Sequence, residues 1–234
     1  MMMKKTIAAV LGAGMLLLGA SAASAHAGHA GTELSVLVNG VEVVSEANHV
    51  AGGKTYVSIE AFAALFEDEA KLSPDRKSAT LNGKTISNVR MKNGTATAWA
   101  RDLAAAVGAQ RVTWDQERME LYILALPEGT IQLDPVVVPA MGEHWANPAA
   151  GELPTGPIYG VYEGKLVFLE YMIAQEDFAN GVNHRNLGGM KGVPSPEVVQ
   201  TDIEFQPTGH PGMEVPHYDI HMYFITDEAQ QAIQ

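Results

Sequence analysis

Cysteine is absent from the 234 residues of the chain. This absence excludes disulfides, iron–sulfur clusters, zinc sites built on thiolates and a cysteine nucleophile. The sequence also lacks a phosphate-binding loop and any nucleophile with a matched base, which weighs against nucleotide chemistry and covalent catalysis. Charged residues make up only 18% of the chain, and hydrophobic residues make up 47%. Such a composition is that of a globular protein with enough apolar residues for a core.

Long apolar runs are scarce, and the one at the N-terminus has the features of a secretory signal peptide covering residues 1–27. Two lysines precede an apolar stretch over Thr6–Ala20, and the small residues of Ser21–Ala27 offer cleavage after Ala25 or Ala27. The apolar stretch is too short to span a bilayer well, and no later segment has the character of a transmembrane helix. We therefore expect an exported protein, secreted or held in the cell envelope.

Basic residues are also few, with 15 Lys and Arg against 27 Asp and Glu and a formal net charge of −12. Removal of the leader takes away two of the lysines and no acidic residue, so the exported chain is more acidic still. A surface of this sign argues against nucleic acid and anionic lipid as partners. It suits an extracytoplasmic protein that meets cations.

Residues 34–125 contain a repeated pattern, with two copies of a loop, helix and hairpin unit offset by about 42 residues. The Asn39-Gly40 and Asn82-Gly83 pairs are strong hairpin-turn signals. Neither copy could bury its apolar face alone, so we expect both to pack as one α+β module. Residues 28–33 precede this module as a linker.

The same region resembles a known family through the motifs VNGVEV, GGKTYVSIEAFAALF and GAQRVTWDQERMELYI. These motifs are similar to those of the copper amine oxidase-type N-terminal domain, also called the stalk domain. The resemblance implies an accessory or cell-wall-associated module without a copper centre, so that the cell wall could be a partner. Nothing in the chain resembles the quinone-forming tyrosine motif of the oxidase, so we expect no amine oxidase activity.

The most chemically loaded stretch is Val215–Ile225, which reads VPHYDIHMYFI. Its β-branched and aromatic content, with a proline at its entry, favours a strand over a helix that would place His217 and His221 one turn apart. On a strand, four residues share one face: His217, Asp219, His221 and Tyr223. Neighbours on that face lie roughly 7 Å apart, so Asp219 could share an ion with either histidine. The alternative is a polar face open to water, or buried histidines satisfied by hydrogen bonds.

Residues 127–234 form a second predicted domain of short strands and Gly/Pro turns, which favours a mostly β, barrel- or sandwich-like fold in the style of a cupin. His144 lies in a compact MGEHW turn. Glu170 interrupts the second strand of a hairpin that turns at Glu163-Gly164, where a buried carboxylate is costly unless it is paired or bound to a cation. The alternative for Glu170 is an edge-strand position facing water. Residues 179–195 read as a long loop that could be a lid, a binding loop or a mobile segment.

Together these residues predict a site for one divalent metal ion, with the ligands His144, Glu170, His217, Asp219 and His221. Imidazoles combined with carboxylates suit Zn, Mn, Fe or Cu. A methionine-containing set would suit copper instead: His210, Met213, His217 and Met222. Methionines, however, are more often core filler than ligands.

The second half also resembles an uncharacterised family of exported bacterial β-rich proteins that has a member in Thermus. The shared motifs are MGEHW, PTGPIYGVYEGKLVFLEYMI and GHPGMEVPHYDIHMYFI, within residues 133–226. The polar positions inside these motifs are His144, Glu170, His217 and His221. The resemblance implies a β-rich protein that could be a homo-oligomer, and it implies no activity. The motifs do not match the histidine and glutamate spacing of cupins.

Three functions are compatible with these patterns. The first is a binding or structural envelope protein, in which a stalk-type module carries a β-rich domain with a metal site. The second is a metal-dependent enzyme acting on a small extracellular molecule, which the grouping of histidines and carboxylates beside a long loop favours. The third is metal sequestration, above all of copper, which the histidine, methionine and acidic content favours. We expect the first, because no catalytic motif accompanies the metal ligands.

Overall fold

The computed structural model describes residues 33–151 and 153–234. The predicted signal peptide and most of the predicted linker lie outside these residues. The part described is mostly β, and its strands form four sheets. None of the helices in these two ranges combines the length and apolar character needed to cross a bilayer.

The first half contains short strands and two helices. In chain order these are β1 (Ser35–Val38), β2 (Val41–Glu42), β3 (His49–Ala51), β4 (Lys54–Ser58), α1 (Ile59–Ala64), β5 (Lys71–Leu72), β6 (Ser78–Leu81), β7 (Lys84–Ser87), β8 (Arg90–Lys92), β9 (Thr95–Trp99), α2 (Ala100–Ala106), β10 (Arg111–Asp115) and β11 (Glu120–Leu124). The sheet orders are β10-β11-β1-β2, β3-β4-β9-β8 and β5-β6-β7. Strand β1 runs parallel to β11, so the beginning and the end of this half are hydrogen-bonded to each other.

Local sequence explains the turns and the first helix of this half. The asparagines of Asn39-Gly40 and Asn82-Gly83 adopt φ angles of 51° and 48°, which hairpin turns of this kind require, and both predicted turns are confirmed. The Ser58 hydroxyl accepts a hydrogen bond from the Ala61 amide at 3.3 Å and caps α1. A cluster drawn from residues 36–125, in which Phe62 is fully buried, fills the space between helices and sheets.

The second half forms one antiparallel sheet with two short helices. Its elements are β12 (Ile131–Gln132), β13 (Glu143–Ala146), β14 (Ile158–Tyr162), β15 (Lys165–Ala174), α3 (Gln175–Ala179), β16 (Gln200–Gln206), β17 (His217–Tyr223) and α4 (Asp227–Gln231). The strand order is β12-β13-β14-β15-β17-β16, and the sheet curls into a half-barrel. Glu163 and Gly164 have φ angles of 50° and 80°, so the predicted hairpin turn between β14 and β15 is confirmed.

The two halves pack together through one face of this sheet, which we call the opposite face because the histidines of β17 lie on the other side. A shared hydrophobic cluster joins Leu37, Tyr122, Leu124 and Leu126 to Trp145, Tyr159, Val161, Leu166, Leu169 and Phe224. The Leu166 amide donates to the Tyr122 hydroxyl at 3.1 Å. Arg111 pairs with Glu143 at 3.2 Å, and Lys165 pairs with Glu120. The interface between the two halves therefore combines a buried apolar cluster with ion pairs at its margin.

The predicted long loop follows α3 and lies on the opposite face. The Tyr159 hydroxyl donates to the Gly189 carbonyl at 2.7 Å, and the Tyr171 hydroxyl donates to the Gly188 carbonyl. The Asn39 side chain donates to the Pro194 carbonyl at 2.9 Å. These three anchors of the loop therefore lie on the side of the sheet away from the histidines of β17.

Candidate metal centre

Strand β17 buries its polar residues rather than its apolar ones. On the face we call the histidine face, exposure is 0% for His217, 1% for Asp219, 0% for His221 and 0% for Tyr223. The residues between them are partly exposed. The strand and its alternation are confirmed, and the interpretation as a polar face open to water is wrong. On this face β17 lies beside Phe168, Glu170 and Met172 of β15, which are themselves buried.

Glu170 lies on β15 directly opposite His221, and it is 3% exposed. One carboxylate oxygen, Oε1, is 3.2 Å from His221 Nε2, and the other, Oε2, is 4.0 Å from His144 Nε2. Because β15 is flanked by β14 and β17, the interpretation of Glu170 as an edge residue facing water is wrong. We call His144, Glu170 and His221 the second triad.

A closer group lies at the start of β17, and we call it the first triad: His210, His217 and Asp219. The two imidazole Nε2 atoms are 3.1 Å apart. Asp219 Oδ1 is 3.0 Å from His217 Nε2, and Asp219 Oδ2 is 3.7 Å from His210 Nε2. The ligand atoms of the three residues all lie within 4.8 Å of one another, so the group could hold a metal ion.

Backbone contacts favour Nδ1 as the ring nitrogen that carries the proton in both histidines of the first triad. His217 Nδ1 lies 2.6 Å from the Val215 carbonyl, and His210 Nδ1 lies 3.2 Å from the Pro211 carbonyl. A carbonyl can only accept, so both Nδ1 atoms donate and both neutral rings present an Nε2 lone pair. Two lone pairs then face each other at 3.1 Å, which is repulsive unless a proton or a metal cation lies between them. Metal-binding histidines are commonly oriented by this kind of Nδ1 contact.

The distances in the first triad suit a small divalent ion. Ligands about 2.0–2.1 Å from a tetrahedral ion lie ~3.3 Å from one another. The separations here are 3.0, 3.1 and 3.7 Å. Three protein donors leave a coordination position for water or a ligand. The side chain of His210 is 39% exposed, so that position is reachable from solvent on its side.

The second triad has an apolar wall formed by Phe168. The Phe168 ring centroid is 5.0 Å from that of His221 and 5.7 Å from that of His144, with edge-on geometry in both contacts. Gly160 makes room for this ring, because a Cβ atom there would come within 2.1 Å of Phe168 Cε1. Tyr223 stacks on His221 at 5.4 Å. The rings of His144 and His221 are therefore held by packing on one side and face Glu170 on another.

The two histidines of the second triad have pKa values displaced in opposite directions. Burial is the largest influence on the His221 pKa and lowers it, but the hydrogen bond and charge of Glu170, with Asp219 and Glu204, outweigh it and leave the pKa raised. Burial also dominates at His144, where Glu170 only partly compensates, so the pKa is lowered. Protonation is therefore favoured at His221 and disfavoured at His144.

All five residues predicted as ligands lie on the second-half sheet, but the structure distributes them between two groups. His217 and Asp219 belong to the first triad, and the other three form the second. His210 joins the first triad although the predicted five did not include it. The sequence indicates His210 only as a member of the methionine-containing copper set. That set does not come together as a whole, because Met222 packs on the opposite face. Glu204, whose Oε2 is 3.7 Å from His221 Nδ1, could not be found because the register of β16 against β17 is not visible in the sequence.

Comparisons with known proteins do not identify a function for this chain. No known protein family matches the sequence, and no curated protein matches it. Among solved structures, a hypothetical protein from Thermus thermophilus is 20% identical, with a TM-score of 0.38 over 42% of this chain and 91% of that chain. A similarity of this size supports no assignment of function. The resemblances to the stalk domain and to the exported bacterial family stay predictions from sequence motifs.

Proposed function

We propose that this chain is an exported, acidic protein whose β-rich half binds a divalent metal ion through His210, His217 and Asp219, in a binding or structural role. One observation carries the proposal. Two Nε2 lone pairs face each other at 3.1 Å beside a carboxylate whose two oxygens are buried without a hydrogen-bond partner.

A buried carboxylate beside imidazole nitrogens that present lone pairs is costly, and the cost of a buried charge left uncompensated reaches several kcal/mol. A cation among the three donors would neutralise Asp219 and accept both lone pairs. A proton shared between the two imidazoles is the competing arrangement, since it also removes the lone-pair repulsion. Two nitrogens and one carboxylate suit ions from Mn to Zn, so Zn²⁺ is a suitable probe.

A second candidate function is metal-dependent catalysis on a small extracellular molecule. The exposure of His210 and the three-donor set favour it, because a catalytic ion needs an open position. Binding remains the preferred function, because no nucleophile with a matched base accompanies the triad. Copper sequestration has less support, because Met222 lies away from the two histidines.

We further propose that residues 34–125 are a stalk-type α+β module of two strand, helix and hairpin repeats. It would carry the half-barrel of residues 127–234 in the cell envelope after signal-peptide removal near Ala25 or Ala27. Packing of this module on the opposite face supports the proposal, because it keeps the first half away from the first triad. Retention of the exported chain on isolated cell walls, compared with an unrelated protein of equal negative charge, tests the stalk role.

The metal proposal is tested by zinc titration calorimetry and metal analysis of the metal-stripped protein. We expect Asp219→Asn and His210→Gln to lower affinity at the first triad at least ~100-fold, about 2.7 kcal/mol, because each removes a direct ligand. His184→Gln is the matched control, since His184 pairs with Asp177 at 3.4 Å outside both triads. Equal zinc binding by wild type, Asp219→Asn and His210→Gln would refute the proposal.

A further inference from the structure

We propose that the second triad is a second cation site, so that the histidine face holds two divalent ions side by side. The inference rests on the proposed function for its chemistry, but it concerns different ligands. His144, Glu170 and His221 would bind the second ion, and Glu204 would stand beside it.

An ion in the first triad does not reach His221. Along a strand, His217 and His221 lie roughly 13 Å apart, and His221 is not among the residues whose ligand atoms all lie within 4.8 Å of one another. Both ring nitrogens of His221 are buried, and each has a carboxylate oxygen nearby, at 3.2 Å from Glu170 and 3.7 Å from Glu204. The ring is placed among anionic donors that a cation could share with it.

Charge on the histidine face also exceeds what one ion can neutralise. In the register of β16 against β17, Asp202 is opposite His221 and Glu204 is opposite Asp219. Directly opposed residues share a face, and like charges in that relation are destabilising. With Asp219 bound to the first ion, the carboxylates of Glu170 and Glu204 still lie 3.2 and 3.7 Å from His221, and Asp202 lies opposite it in the strand register. A second divalent cation offsets this surplus where it is greatest.

Glu170 has the position of a ligand shared between two imidazoles. Its Oε1 is 3.2 Å from His221 Nε2 and its Oε2 is 4.0 Å from His144 Nε2. The side chain of His144 is 22% exposed, so an ion held on the carboxylate would be reachable from solvent on that side. The donors are nitrogen and oxygen, which suits the same borderline ions as the first triad. A protonated His221 paired with the two glutamates is the competing arrangement, and it would bind no second ion.

Cadmium-113 NMR combined with metal analysis of the whole exported protein separates these arrangements. For wild type we expect two cadmium ions per chain and two resonances. His144→Gln and Glu170→Gln should each lose one ion and the same resonance, and His210→Gln should lose the other. His184→Gln should keep both. Circular dichroism verifies that each variant is folded, and Glu170→Gln preserves the side-chain shape if His144→Gln is poorly folded.

The outcomes distinguish this inference from the proposed function. One ion per chain that disappears in His210→Gln and is unaffected by His144→Gln and Glu170→Gln would overturn the second site and leave the first. A single ion that disappears in His144→Gln and Glu170→Gln but survives in His210→Gln would refute the first site and support the second. Two ions that both survive in His144→Gln and Glu170→Gln would also overturn the inference.

Discussion

The Asp219 carboxyl group lies at a position that is 1% exposed, and its polar neighbours are the imidazoles of His210 and His217. In the proposed site, a bound ion would neutralise this carboxylate. We therefore expect zinc at 100 times its dissociation constant to stabilise the wild-type protein by about 2.7 kcal/mol. Asp219→Asn should lose at least half of that gain, measured by urea unfolding with and without zinc. A zinc-dependent gain in Asp219→Asn equal to that of wild type and of His184→Gln would contradict this expectation.

His221 gives a prediction about pH in the metal-free protein. Its pKa is raised above the ordinary 6.5 because Glu170, Asp219 and Glu204 outweigh the effect of burial. A raised pKa means that the stabilising contribution is fully present below pH 6.5 and is lost as the pH rises through the folded-state pKa. NMR titration should show His221 deprotonating at higher pH than His144, and Glu170→Gln should lower the His221 pKa. Titration of His221 below His144 would contradict the charge arrangement.

Sequence reasoning succeeds at the residue scale where a property is local. The alternation of β17 follows from its period of two, and that period alone is enough to place the chemistry on one face of the strand. The sequence cannot say whether that face is buried, because burial depends on strands far away in the chain. Glu170 illustrates this limit: its apolar neighbours predict that it needs a partner, but only the pairing of β15 with β17 identifies His221.

Gly160 lies on β14 opposite Phe168 of β15, and the packing of that ring positions the histidines of the second triad. A methyl group there would overlap the Phe168 ring, which contacts His144 and His221. We expect Gly160→Ala to destabilise the fold by about 1–3 kcal/mol through overpacking. It should also weaken cation binding, because the displaced ring presses on both imidazoles. Chemical denaturation measures the first effect, and zinc titration measures the second.

Gly189→Ala, in the long loop on the opposite face, is the control for Gly160→Ala. A Cβ atom at Gly189 would meet its neighbours at 3.7 and 3.8 Å, which is ordinary contact on the opposite face. We expect its stability and zinc affinity to remain close to those of wild type. An effect of Gly160→Ala no larger than that of Gly189→Ala would show that Phe168 has space to move, contrary to the packing described.

Strands and turns were the most predictable elements, because their signals are short-range. The Asn39-Gly40, Asn82-Gly83 and Glu163-Gly164 turns require residues that tolerate positive φ, and the sequence supplies them. The order of strands is not predictable in this way. Strand β17 lies between β15 and β16, so it pairs with β15 although β16 comes between them in the chain. The sheet also forms a half-barrel where the sequence predicts a barrel or a sandwich.

At the scale of the whole molecule, the two halves are joined through a buried contact. The Tyr122 hydroxyl accepts the Leu166 amide at 3.1 Å, and Tyr122 is 2% exposed. Tyr122→Phe leaves that buried amide without its acceptor, which we expect to cost about 1–3 kcal/mol in the free energy of unfolding. Tyr56→Phe is a suitable comparison, because the Tyr56 ring stacks on His49 within the first half. A loss no greater than that of Tyr56→Phe would show that the bond across the two halves contributes little.

The first triad could be predicted only in part, because it is a product of the whole fold. His217 and Asp219 are two residues apart, and their proximity follows from the strand. His210 reaches them because the turn before β17 folds back, with backbone hydrogen bonds between His210 and Met213. The second triad is less predictable still, because His144 and Glu170 come from strands much earlier in the chain than His221. Long-range contacts of this kind leave no periodic signal in a single sequence.

The most direct measurement is a crystal of the exported protein grown with zinc and recorded at the zinc absorption edge. We predict a strong anomalous peak within about 2.1 Å of His210 Nε2, His217 Nε2 and an Asp219 oxygen. A zinc-containing crystal with no peak among these three side chains, and zinc bound only at unrelated surface residues, would contradict the metal centre.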